Sequence, residues 1–250
     1  MATPKEPGGF PVDPLHQFEI TRLVPVRLGP LDLSFTNSSL WMAITVGAVA
    51  AFFALGSLKA KMVPSRLQSC NEILYETIAH MVRDNIGEEG RAWFPFIFTL
   101  FLLLLFGNLL GLIPGSFTFT SHIAVTFALA ALIFVGVTVI GFMRHRLGYL
   151  RILFPEGAPL WTAVILVPIE LISYLSRPVS LSMRLFANMM AGHILLKVFA
   201  GFIILLGVGG VLPLAVLVGL TMLELLVAVL QAYIFTILAC VYLNDAIHMH

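Results

Sequence analysis

The sequence predicts an all-α polytopic membrane protein with about five membrane passes, an amphipathic surface helix, and a last pair of passes forming a long, steeply tilted hairpin. Three observations predict it. Of the 250 residues 59% are hydrophobic and 11% charged, where a soluble domain carries about 25% charged residues. Mean hydropathy is +1.00. The apolar runs come in lengths that cross a bilayer, about 20 residues each, except the last two, which are longer.

Taken in order, residues 1–38 are Pro-rich and mixed, and read as an irregular extramembrane arm. They lack the charged, apolar and small-residue succession of a cleaved signal, and the Asn37-Ser-Ser sequon reads as chance. Residues 39–250 read as one helical membrane domain. Its first span runs from Leu40 to Leu58, followed by Lys59, Lys61 and Arg66. Over 66–86, Leu67, Cys70, Leu74, Ile78 and Met81 recur at helical spacing, while Glu72, Glu76, His80, Arg83 and Asp84 take other positions. Gly87 stands where a C-terminal cap belongs. That pattern predicts an amphipathic helix on the membrane surface or against a partner.

The second span, Trp93 to Ile113, is ended by Pro114-Gly115, and the third, His122 to Met143, by Arg144-His-Arg146. A turn over Pro155–Pro159 precedes apolar sequence from Leu160 to Leu206; Gly207 to Pro213 is a Gly-rich break, and Leu214 to Tyr242 the last run. As one helix 160–206 would extend about 70 Å across a core about 30 Å thick. Tilt, kinking or a break must absorb the mismatch, and Pro168 and Pro178 offer kinks. Basic residues follow the first and third spans (Arg151 joins Arg144 and Arg146), and the loops at 114–121 and 207–213 carry none. By the positive-inside rule the N-terminus lies outside and the C-terminus in the cytoplasm.

Arg184 lies deep within the apolar run PVSLSMRLFANMMAGH, from Pro178 to His193. A guanidinium stays charged, and at bilayer depth it costs at least about 2.5–3.5 kcal/mol. Such a charge needs a partner anion or a wet cavity; snorkelling to headgroups suits it poorly, far from either end of its segment. Ser173, Arg177, Ser180, Arg184 and Asn188 follow spacings of 4, 3, 4 and 4, which puts them in one stripe on one helical face. Interhelical hydrogen bonding would explain the serines and Asn188 but not two arginines. Glu170 reads as an interfacial acid or the inner mouth of an ion path.

His193 is nine residues past Arg184, about 13 Å along a helix and on the opposite face. On the last segment Glu224 and Gln231 share a face, with small Ala228 between them. A buried histidine is ordinarily structural, but one beside a carboxyl on the antiparallel segment can relay protons near neutrality. Asn108 and His122 flank the uncharged outer loop; they either extend an outer aqueous path or cap helix ends.

The net charge of +1 gives no reason to expect nucleic acid as a partner. Cys70 and Cys240 are far apart and read as free thiols. Intramembrane metalloprotease, serine-hydrolase and Walker-type motifs are absent, as is the paired histidine pattern of bis-histidine haem. No catalytic group, metal site or cofactor is expected.

The segment from Ser176 to His193 resembles the signature of subunit a of F-type ATP synthases. So does the last run, with Glu224, Gln231-Ala-Tyr-Ile-Phe and Val241-Tyr-Leu. Pro14-Leu-His-Gln-Phe and Asn108-Leu-Leu-Gly-Leu-Ile-Pro114 are similar to that family too. The resemblance implies a stator subunit facing a rotating ring of small hairpin subunits (the c-ring), each with one embedded carboxylate, alongside peripheral-stalk b subunits and the remainder of the complex. Arg184 matches the family's essential arginine, and Asn188, Glu170, Ser180 and Gln231 fall on its polar positions. In several bacterial members the acid and the histidine at positions 193 and 224 are exchanged; the arrangement here is that of mitochondrial-type chains. This implies a proton-translocating subunit of a bacterial inner membrane, from a lineage near the mitochondrial one, with the mitochondrial inner membrane as the alternative. The rival reading is a self-contained transporter or channel whose Arg184 binds an anionic substrate, although no inverted repeat is evident. A purely structural scaffold would leave the polar stripe unexplained.

Overall fold

A computed structural model describes residues 18–25, 27–28, 31–32, 34–58, 61–113, 115–146, 148–149 and 163–248. Pro14 to Gln17, Lys59, Pro114, Arg151, the Pro155–Pro159 turn and residues 160–162 lie outside them, and with them those parts of the sequence reading.

Where an irregular arm is expected, the chain makes two nested antiparallel pairs. Strand β1 (Arg22–Val24) pairs with β4 (Phe35–Thr36), and β2 (Arg27–Leu28) with β3 (Leu31–Asp32). The Gly29-Pro30 dipeptide between β2 and β3 is a turn signal, and pairing follows on either side. Helix α1 (Asn37–Ser57) starts directly after β4, with the Thr36 hydroxyl accepting from Ser39 N–H as its cap. The Asn37 amide ties the arm to α1: Oδ1 accepts from the backbone N–H of Thr21 and Ser38, and Nδ2 donates to Glu19 O.

Helix α2 (Arg66–Ile86) has the expected bounds, with Ser65 as N-cap and Gly87, at φ +81°, as C-cap. It is amphipathic as expected, with one face exposed and the other packed on the chain itself. Ile78, Met81, Val82 and Ile86 are buried against the chain's own α3 and α6. The stripe also turns: Leu67 and Cys70 are exposed, while Gln68 and Asn71 are buried. The physical reason is a close crossing of α1, where a Cβ on Gly56 would fall 2.0 Å from Asn71 Nδ2. Gln68 meanwhile exchanges both amide hydrogen bonds with the backbone of Lys61.

Helices α3 (Phe94–Gly111), α4 (Ile123–His145), α5 (Ala163–Leu206) and α6 (Val211–Ile247) complete five segments long and apolar enough to cross a membrane. α5 runs its 44 residues without interruption across Pro168 and Pro178, so neither proline breaks it. At 1.5 Å per residue it is about 66 Å long, and a short 3-10 turn over Gly207–Gly210 returns the chain into α6. The tight corner uses Gly207 at φ +53°.

α6 is the spine. Ala228, Ala232, Ala239, Cys240 and Ala246 have at most 1% exposure, and such small side chains let α3 and α5 come close. Leu104 of α3, and Leu185 and Met189 of α5, fill the seams. The α3–α4 connection is folded inward rather than looped into solvent, and Ser116 to Ser121 are all buried.

Candidate functional site

α5 sorts its polar residues onto two faces. Ser173, Ser180, Arg184 and Asn188 are exposed on one long stripe, as the spacing predicts. Arg184 makes no hydrogen bond or ion pair with any described residue. Arg177, expected on the same stripe, is turned toward α6. Its guanidinium bonds Asp245 Oδ2 at 3.1 Å and lies over the rings of Tyr242 and Tyr174, 5.2 and 5.7 Å from their centroids. Tyr174 Oη continues the network to Thr138 Oγ1 at 2.7 Å and to Tyr149 Oη at 2.9 Å. Burial and that hydrogen bond push the Tyr149 phenol well above its usual range, so it stays protonated. Glu170, one turn before Tyr174, is half-buried. This polar cluster occupies the N-terminal half of α5 and the C-terminal end of α6.

The second cluster lies toward the C-terminal end of α5, on the face away from Arg184. His193 and Glu224 have 7% and 5% exposure, and His193 Nδ1 lies 3.5 Å from Glu224 Oε1. The pairing expected from the sequence is present in space. Neither Glu224 oxygen has a hydrogen-bond partner among the described residues. An unpaired charge at such burial is costly, so the imidazole and the carboxyl are poised to share a proton. Gly192 makes this possible: a Cβ there would lie 2.7 Å from Glu224 Oε1. A pocket of about 220 Å³, lined by Gly192, Glu224, Leu195, Leu223 and Asn188, joins the buried carboxyl to the exposed stripe. Gln231 is buried two turns further along α6, on the same face as Glu224.

His193 Nε2 meets the Thr118 hydroxyl at 3.0 Å. Asn108, with 0% exposure, caps no helix end. It donates from Nδ2 to Ala228 O at 3.2 Å and accepts from Thr120 Oγ1 at 2.9 Å, tying α3, the inward loop and α6 together. His122 occupies the N-cap position of α4 without a capping bond. It stacks on Phe117 with centroids 5.0 Å apart, and its Nε2 is buried without a partner among the described residues. Burial lowers its pKa below 6.5. Asn108 adjoins the His193 cluster through this loop, whereas Glu170 and Ser173 lie at the other end of α5.

Thr118, Thr120, Gly192, Tyr174 and the Arg177–Asp245 pair escaped sequence reasoning. A glycine directly before His193 was the one available signal. The threonines act through a loop whose inward fold has no periodicity to read.

Residues 39–244 match the sequence model of the ATP synthase A chain family. The chain is 61% identical to ATP synthase subunit a of Rhodospirillum rubrum over 238 residues, covering 95% of this chain and 99% of the relative. The subunit a proteins of Paramagnetospirillum magneticum and Parvibaculum lavamentivorans are 56% and 54% identical. They cover 95% and 99% of this chain, and 99% of each relative. A match over nearly the whole domain, with the motif residues in one continuous hairpin, makes this chain a member of the ATP synthase A chain family.

Proposed function

We propose that this chain is the stator subunit of the membrane sector of an F-type ATP synthase, carrying protons to and from the carboxylates of the rotating c-ring. The observation that carries the reading is Arg184, exposed on the α5 stripe and lying between two polar clusters on different faces. Protons reach the pair His193–Glu224 from the outside. They cross the adjoining pocket past Asn188, with Gln231 on the same buried face, and neutralise a ring carboxylate. A neutral carboxyl can rotate into lipid without the cost of a buried charge. After nearly a full turn it meets the inner path near Glu170, Ser173 and Ser180 and releases its proton.

Arg184 separates the two paths. Its fixed charge favours the ionised form of a carboxylate passing it and repels a cation crossing directly. Asn108 and His122 belong to the outer side of the same path. Each proton gives about 2.3 kcal/mol per 100 mV, so several pass for each ATP made elsewhere in the complex, and this chain itself is non-catalytic. It sits in a bacterial inner membrane with its N-terminus outside and C-terminus in the cytoplasm, against the c-ring and peripheral-stalk b subunits. Residues 39–250 form its single membrane domain and residues 1–38 its extramembrane arm. Family membership favours this reading over a self-contained transporter of anions.

The test is ATP-driven acidification of inverted membrane vesicles, wild type against Arg184→Ala, at matched assembly of the complex. Pumping is expected to vanish with the ATPase head still attached. Lys is no equivalent replacement, because it lacks the planar fork. Unimpaired coupled pumping in Arg184→Ala would remove the central claim, and normal rates in both His193→Ala and Glu224→Ala would remove the outer pair.

A further inference from the structure

Behind His193 runs a hydrogen-bond chain that ends on backbone. The Thr118 hydroxyl is 3.0 Å from His193 Nε2 and donates to the carbonyl oxygen of Gly111 at 3.0 Å. A hydroxyl has one hydrogen. With that hydrogen on Gly111, Thr118 offers the imidazole only lone pairs, and Nε2 must carry the N–H. Nδ1 is then bare, 3.5 Å from Glu224 Oε1. The reverse order would place the ring hydrogen on Nδ1, aimed at Glu224. Neither oxygen of Glu224 receives a hydrogen bond from a described residue, as a bare Nδ1 facing it requires.

The far end of the chain is closed. Thr118 has 3% exposure in a loop buried from Ser116 to Ser121. Gly111 lets the hydroxyl reach its carbonyl, since a Cβ there would lie 2.6 Å from Thr118 Oγ1. The single Ser116 Oγ hydrogen lies between two carbonyls, Ile113 O at 2.7 Å and Gly111 O at 2.9 Å, the nearer being Ile113, which leaves Gly111 O to Thr118. Around the imidazole, α6 presents Glu224, α5 presents Lys197, whose charge reaches it, and the Phe18 ring stands 6.3 Å away.

We propose that Thr118 is a positioning residue that locks His193 in the Nε2–H tautomer, so that the imidazole exchanges protons through Nδ1 alone, directly against Glu224. The inference rests on the reading of His193 and Glu224 as the outer proton pair. The proton of a neutral Glu224 carboxyl moves to Nδ1, leaving a carboxylate and an imidazolium whose Nε2–H is still held by Thr118; the reverse step returns the same proton. His193 is therefore a one-port store beside Glu224, not a wire through the ring. Water-borne protons have to reach the pair along the pocket that flanks Glu224. Which ring nitrogen holds the hydrogen is set by the bond the other makes, and here Thr118 makes it.

The experiment uses the whole complex in lipid vesicles with 15N-labelled histidine rings, the His193 signals identified by their loss in His193→Gln. Wild type and Thr118→Ser are expected to show the hydrogen on Nε2, and Thr118→Val a mixture or Nδ1–H. ATP synthesis at fixed driving force should fall roughly five- to tenfold in Thr118→Val, the loss of one hydrogen bond, and stay near wild type in Thr118→Ser. Nδ1–H in the wild type would overturn the proposal. So would a Thr118→Val protein that keeps Nε2–H, even with synthesis impaired, since the threonine would then be merely structural. Normal synthesis in His193→Ala would instead remove the underlying pair, whatever the tautomer shows.

Discussion

Gly192→Ala is the smallest change that should disable the His193–Glu224 pair, proposed above as the outer proton relay, while leaving the fold standing. The added methyl would lie 2.7 Å from Glu224 Oε1, 3.0 Å from Cδ and 3.3 Å from Cγ. Ordinary contact begins near 3.5 Å, so Oε1 has to withdraw by about 0.8 Å. The carboxyl is the end of a rotatable side chain, which limits the overpacking cost to roughly 1–3 kcal/mol; the helix itself gains from losing a glycine. Function has no such slack. The carboxyl lies 3.5 Å from His193 Nδ1, and displacement on the ångström scale can cost on the order of 100-fold in rate. The assay is ATP synthesis by inverted vesicles under an imposed proton gradient, normalised to assembled complex. Gly136→Ala on α4 is the control, since a Cβ there meets nothing within 4 Å. Synthesis in Gly192→Ala should fall at least about tenfold with assembly preserved. A rate equal to that of Gly136→Ala would refute the argument that the missing side chain sets the pair.

Three further substitutions separate structure from transport. Asp245→Asn should cost about 0.5–1 kcal/mol, because the pair with Arg177 is partly exposed (28% and 40%) and screened. Thermal unfolding should show the small loss, narrowing at high salt; Arg177→Ala should cost more, since the cation also covers two tyrosine rings. A salt-independent loss in Asp245→Asn would count against the ion pair. His122 supplies a pH dependence. Its folded pKa is lowered by burial from 6.5, so the unfolded chain takes up the proton first on acidification. Its contribution is whole above 6.5 and declines as pH falls from there to the lowered folded value, where the loss levels off. Unfolding temperatures of wild type and His122→Phe should diverge as pH falls from 6.5 toward the lowered folded value and run parallel outside that window, and an equal slope throughout would sink the assignment.

Much of the architecture was legible because it is set by length and hydropathy. Each apolar run became a helix within a few residues of its expected ends, and the overlong runs became a hairpin because no polar turn interrupts them. The α5 stripe was legible from helical spacing alone, and so was the separation of His193 from Arg184. What periodicity could not show is which side of a helix meets another part of the same chain. Leu67 and Cys70 looked like core, but a close crossing at Gly56 brings Asn71 inward instead. Arg177 sits on the stripe by number, yet a carboxylate 68 residues away draws it aside. The inward fold of residues 116–121 depends on glycines at 107 and 111, where Phe119 and Thr118 press on bare backbone. Nothing in a single sequence marks those glycines as contact points rather than helix interior.

The unequal fates of the two arginines support the proposed place of this chain beside a second subunit. Both stand on an apolar helix, where a guanidinium costs at least about 2.5–3.5 kcal/mol at bilayer depth. For Arg177 the chain itself supplies partners, Asp245 at 3.1 Å and two aromatic faces. For Arg184, seven residues later, no acid among the described residues lies within ion-pairing distance, and its face is turned out of the bundle. Glu224 is the nearest candidate by sequence motif, but it is buried on the other side of α5, against His193. The described residues thus offer Arg184 no anion, which agrees with the proposed place of this chain against a carboxylate-bearing partner. In the proposed mechanism the partner's anion leaves again, whereas Asp245 stays beside Arg177. A succession of carboxylates on a moving partner would bring the anion and take it away.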